Sequence, residues 1–175
     1  MFKTVERGQT INVAGYELIC FPREDGSVDV VAKDLIFSYE QFGKKNNNLA
    51  ESLVLKKLQE EFLPKIAEAV GEKNILEFET DLRTLDGLRP YQNLVSKVSL
   101  PTLDFYRDNV DVFDEHKVNS WWWLATPDTA QPHYDPIWVR CVSPRGGIFN
   151  GNCHLNNGVR PFLRFSSFIF VSDEG

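Results

Sequence analysis

Three cysteines and three histidines are the side chains of this sequence best suited to chemistry: Cys20, Cys141, Cys153, His116, His133 and His154. Cys141 and Cys153 stand twelve residues apart across a glycine-rich turn. A hairpin could bring their soft sulfur atoms together, but two such ligands alone do not define a metal site. No pair among the six has the close spacing of a three- or four-ligand zinc centre. Cys153 and His154 are adjacent, which directs them to opposite faces of a strand or loop rather than to one ion. An odd number of cysteines without a Cys-x-x-Cys pair fits a reducing compartment. All three are therefore expected to be buried thiols, with no disulfide, no metal and no cofactor. Hydrolysis would need His133 or His154 beside a carboxylate such as Asp135, with a nucleophile in hydrogen-bonding reach. No Gly-x-Ser-x-Gly elbow or other nucleophile motif accompanies them, so no catalytic set is expected.

What the sequence offers instead is contact surface. The turn-rich stretches 127–136 (PDTAQPHYDP) and 143–157 carry His133, Tyr134, Arg145, Phe149, Asn150, Asn152 and Asn156. Tyrosine and asparagine supply contact area and adaptable hydrogen bonds at modest entropic cost, which makes these seven the candidate binding residues. The same asparagines can instead hold turns. A second candidate surface is acidic. Asp104, Asp108, Asp111 and Glu115 fall at offsets of four, seven and eleven, so a continuous helix would place all four carboxylates on one face. Such a face ordinarily serves solvation; the sharper alternative is a docking stripe for a basic partner.

The whole chain bounds these possibilities. At 175 residues, 42% hydrophobic and 13% aromatic, it is long enough for one domain with a well-filled core. A formal charge of −6 disfavours direct nucleic-acid binding, which needs clustered Lys and Arg, and leaves open a basic protein partner. No apolar run approaches the length of a membrane span. The opening MFKTVERGQT lacks the apolar core of a signal peptide, so a cytoplasmic location is expected.

The elements that must position the candidate residues divide the single domain 1–175 into three stretches. Residues 1–40 form an N-terminal hairpin: QTINVAGYELICF alternates around Gly15, EDGS turns on Gly26, and residues 28–37 continue as the partner strand. Residues 48–118 are the helical part. Leu55, Leu58, Phe62, Ile66 and Ala69 recur at helical spacing, Pro64 is expected to break or kink that helix near residue 63, and Gly71 ends it. VSLPTLDFYRD opens a second helix with a capping Ser or Thr. Residues 119–172 are β- and loop-rich, from SWWWLAT to a long closing strand GVRPFLRFSSFIFVS. Along a strand Trp121 and Trp123 should point one way and Trp122 the other. Arg160, inside that closing strand, should have a buried partner.

Taken in order, GQTINVAGYELICF, DLRTLDG, WWWLATP, VRCVSPRGGI and GVRPFLRFSSFIFVS resemble an uncharacterised family of bacterial and phage proteins, from its Gly-x-x-Ile-x-Ile-Gly-Gly hairpin to its Trp-Trp-Leu strand and Gly-Val-Arg-Pro tail. Two departures are Leu18, where the family often has Trp, and Ala125-Thr126, where it often has Arg-Ser. The terminal half is also similar to the C-type-lectin-like fold of formylglycine-generating enzymes and retroelement-diversified binding proteins. The resemblance implies an α+β fold with paired N- and C-terminal strands (Ile11–Leu18 with Phe162–Phe170), two or so helices, and a loop-rich antiparallel C-terminal half that carries the ligand surface. It implies a non-catalytic protein-binding module, phage- or mobile-element-encoded. One form would inhibit a host defence system such as a CRISPR nuclease, its acidic face meeting a basic, nucleic-acid-binding host protein. The alternative is a copper oxidase like the formylglycine-generating enzymes, built on Cys141 and Cys153, although that family spaces its cysteines more closely.

Overall fold

The computed structural model describes residues 1–132 and 134–172, a mixed α+β architecture in which sheets outweigh helices. A short β1 (Phe2–Lys3) precedes the hairpin of β2 (Thr10–Val13) and β3 (Tyr16–Pro22). Ala14 and Gly15 turn it, both at positive φ (55° and 85°), as the tight two-residue hairpin turn requires. Gly26, at φ 89°, turns the chain into β4 (Val28–Ala32). The expected strand over 28–37 stops there. Lys33 N–H bonds Glu17 O, Ile36 N–H bonds Val159 O, and β5 (Phe37–Gln41) joins a different sheet.

Ser52 caps the first long helix by accepting from Leu55 N–H at 2.9 Å. The helix runs through α1 (Leu53–Lys57), a π-helical turn (Leu58–Phe62) and α2 (Leu63–Val70), and Gly71 terminates it at φ 89°. Pro64 therefore does not break it. Leu63 N–H reaches back five residues to Leu58 O, and this widened turn relieves the clash between a proline ring and the preceding turn. A small hairpin follows, β6 (Phe78–Thr80) with β7 (Leu94–Ser96). Thr102 caps α3 (Leu103–Asp108), accepting from Phe105 N–H at 3.1 Å. Asn109 (φ −125°, ψ 23°) then interrupts the expected single helix before α4 (Val110–Glu115).

The C-terminal half contains β8 (Trp122–Pro127), β9 (Trp138–Val142), β10 (Ile148–Asn152), β11 (Asn156–Val159), β12 (Phe162–Phe165) and β13 (Phe170–Val171). The expected single closing strand is thus three. Pro161 has no N–H for a ladder, and a short 3-10 turn at Ser167–Ile169 separates the last two.

One sheet has the order β10-β9-β8-β11-β5, a second β12-β4-β3-β2. The expected direct pairing of Ile11–Leu18 with Phe162–Phe170 is corrected: the segments share the second sheet, but β12 pairs with β4, Phe162 opposite Val31. The strands that join the two ends are β1 and β13, parallel, with Phe2 opposite Phe170. The C-terminal half is not purely antiparallel either, because β11 meets β8 in parallel at Gly158 and Trp122. Both main sheets have apolar residues on both faces. Leu18, Cys20, Val30 and Trp123 pack with Leu58, Phe62 and Ile66 of the first helix. Ile19, Phe21, Val31 and Trp122 pack with Tyr106 and Phe113 of α3 and α4. No helix among the described residues is long and apolar enough to cross a membrane.

Candidate functional site

The three consecutive tryptophans organise the region. Trp122 and Trp123 are both buried, on opposite faces of β8. Trp122 lies against Tyr106 and Phe113, each at 5.7 Å between ring centroids. Trp123 packs on Phe42 and donates its indole N–H to Glu40 O at 2.9 Å. Trp121, just outside the strand, is 40% exposed. Its ring meets Phe149 edge to face at 5.2 Å.

Trp121 is one wall of an open groove of ≈ 370 Å³. Asn150 and Gly151 of β10, Cys141 of β9, Asn156 and Asn157 of β11, and Tyr39 of β5 continue the lining, with His154 and Leu155 from the intervening turn. The groove thus takes a residue from each strand of the five-stranded sheet or from beside it. Gly151 allows this, since a Cβ there would come within 3.1 Å of the Trp123 ring. The lining contains no Asp, Glu, Lys or Arg, in a chain that is one-quarter charged.

The predicted binding residues divide around this groove. Asn150 and Asn156 line it, and Phe149 borders it through Trp121. Asn152 holds a turn instead, its Oδ1 accepting from His154 N–H at 2.9 Å. Tyr134 and Arg145 are exposed outside the groove, and His133 lies outside the described residues. Leu155 and Asn157 lie in the stretch 143–157 but are not among the seven candidates, and Trp121 and Tyr39 lie outside both stretches. Tyr39 left a signal of its own, an aromatic flanked by Ser and Glu in FSYEQ, the pattern of an outward-facing strand residue.

The acidic run does not form one stripe. Asn109 divides it, with Asp104 and Asp108 before the break and Asp111 and Glu115 after. All four are exposed, but two are already engaged. Asp104 pairs with Arg107, and Asp111 takes a two-pronged contact from Arg7 at 2.7 and 2.8 Å. The hydrogen bond from Arg7 holds the Asp111 carboxyl down at about 2.

The cysteines are buried thiols, as expected. Burial pushes Cys20 up to about 12, Cys141 up to about 11 and Cys153 upward as well. A soft metal binds the thiolate, which this setting disfavours. Among the described residues no three His, Cys, Asp or Glu side chains converge on one point. Arg160 is buried, but its partners are not carboxylates. Its Nε donates to Ala32 O at 2.9 Å, and its Nη2 donates to Lys33 O (2.9 Å) and His116 O (3.1 Å). The Trp122 ring covers it, 4.7 Å from the guanidinium carbon to the centroid. A second cleft of ≈ 290 Å³ lies beside Phe78, Phe105 and Phe162. Its buried Asp29 is already held by Arg164 at 2.6 Å and Arg23 at 3.5 Å.

Compared with known proteins, the chain matches no family model, no curated protein and no solved structure. The reading of its function therefore rests on the groove.

Proposed function

We propose that this chain is a non-catalytic protein-binding module of C-type-lectin-like architecture, and that it grips its partner through the groove on the five-stranded sheet. The observation that carries the reading is the gathering of Trp121, Phe149, Tyr39 and Leu155, all exposed, beside the amides of Asn150, Asn156 and Asn157. Exposed aromatics set among adaptable amides make contact anchors, and apolar surface collected in one place marks an interaction site more than the same residues scattered. Pairing of the chain's two end strands and the loop-rich final third support the lectin-like comparison.

A more specific form makes the module a phage- or mobile-element product that inhibits a host defence protein such as a CRISPR nuclease. That form draws on the acidic run, where Asp108 and Glu115 make no ion pair among the described residues while Asp104 and Asp111 hold arginines. The groove is the stronger support.

The test is capture from a lysate of the organism that expresses the protein, comparing wild type with a Tyr39→Ala, Phe149→Ala double variant of unchanged melting temperature. A partner held by wild type and lost by the variant supports the groove; equal capture by both removes it. A copper analysis of the same preparation addresses the oxidase alternative. One copper per chain, abolished by Cys141→Ser, would replace the binding reading with that one.

A further inference from the structure

We infer that the groove's occupant is an uncharged, proline-rich segment in the polyproline II conformation. The inference rests on the reading of the groove as the contact surface and names the chemistry of what enters it. Three features converge. The first is charge: with no Asp, Glu, Lys or Arg in the lining, a charged segment would lose its hydration and find no counter-charge, so the basic surface suggested by the acidic run does not fit here.

The second is hydrogen-bonding capacity. The Trp121 indole N–H, the Tyr39 hydroxyl and the side-chain amides of Asn156 and Asn157 have no hydrogen-bond partner among the described residues, whereas the neighbouring Trp123 N–H is satisfied internally. The indole can only donate. A polyproline II segment makes no internal hydrogen bonds, so its carbonyls are free to accept, and its prolines bring no N–H needing an acceptor. Aromatic-lined grooves with such donors are a recurring way of holding proline-rich segments, because the ligand's conformation is already ordered before binding.

The third is length. The lining crosses four intervals between neighbouring strands, a span of about 19 Å at the usual strand spacing. A polyproline II chain advances about 3.1 Å per residue, so about six residues bridge it. A single amino acid or sugar would occupy only one part.

The probe is a synthetic decapeptide with blocked ends, of proline interspersed with leucine and tyrosine, titrated against the intact protein by calorimetry. Two comparison ligands are a peptide with lysine in place of leucine and a neutral chito-oligosaccharide. Saturable binding of the uncharged peptide is expected, weakened at least tenfold by Trp121→Ala and by Tyr39→Ala. Tyr39 is 74% exposed, so its loss leaves the core intact and serves if the tryptophan variant fails to fold. No binding at millimolar peptide, equal binding by both variants, or preference for the lysine peptide or the oligosaccharide would overturn the inference. If the peptide fails while Tyr39→Ala, Phe149→Ala still abolishes partner capture, the groove stands as the contact surface and only its occupant is wrong. If both fail, both readings fall together.

Discussion

Arg160 carries a guanidinium into the interior, 1% exposed, where three backbone carbonyls and the Trp122 ring take the place of a carboxylate. Burial lowers its pKa to about 10, still high enough to keep it charged near neutrality. Arg160→Met should therefore cost about 3 kcal/mol or more, since it leaves buried carbonyls without donors. A urea midpoint falling at unchanged slope would register that loss. The thiols make a different forecast. Cys141 ionises near 9 when unfolded and at about 11 when folded, so the folded state holds its proton more tightly. The resulting stability is full below pH 9 and is lost as pH rises through 11, up to about 3 kcal/mol for this group. Unfolding curves from pH 8 to 11 should fall less steeply in Cys141→Ala than in wild type. At this scale the sequence was informative about burial, placing the cysteines and Arg160 inside. It could not name carbonyls from distant segments as the arginine's partners, because backbone atoms leave no residue-type signal.

Single elements show where local pattern yields to its surroundings. Helical spacing of Leu55, Leu58, Phe62 and Ile66 correctly marked a helix, and Gly71 its end. Pro64 marked where the helix leaves α geometry, but as a π-helical turn upstream rather than as a break. Two expectations follow from that arrangement. Pro64→Ala should change stability by under about 1 kcal/mol, since no missing bond is repaired at a site already rearranged. Phe62→Ala should cost about 3–5 kcal/mol, because Phe62 is fully buried and meets Tyr16 at 5.2 Å. Thermal melts of the two variants would separate these outcomes. The acidic helix was legible as a capped start and a charge pattern, but not as two pieces. Asn109 closes the first piece by donating its side-chain N–H to Phe105 O, and its Oδ1 accepts from Arg7, 102 positions away in the sequence.

Across the whole molecule, several strands were legible and their partners were not. Alternation in QTINVAGYELICF predicted β2 and β3, yet nothing local could specify that β4 would stand between β3 and β12. The groove was half visible for the same reason: Asn150 and Asn156 come from one stretch, while Tyr39 arrives from β5, more than one hundred residues earlier in the chain. A deletion tests how the ends are joined. Thr4 N–H bonds Val171 O at 2.8 Å, so a chain ending at Ser166 should exchange its Thr4 amide proton rapidly while Val30, buried inside the second sheet, stays protected.

The same long-range pairing has a consequence in time. During synthesis β4 emerges well over a hundred residues before its neighbour β12, as about one hundred and thirty positions separate them, and β1 waits longer still for β13. At about 5–20 residues per second, Val28–Val31 leaves the ribosome on the order of ten seconds before Phe162–Phe165 follows. Through that interval one flank of an apolar strand is open to other chains, which makes the nascent protein a natural client for chaperones and makes slower translation between the two strands a hazard rather than a help.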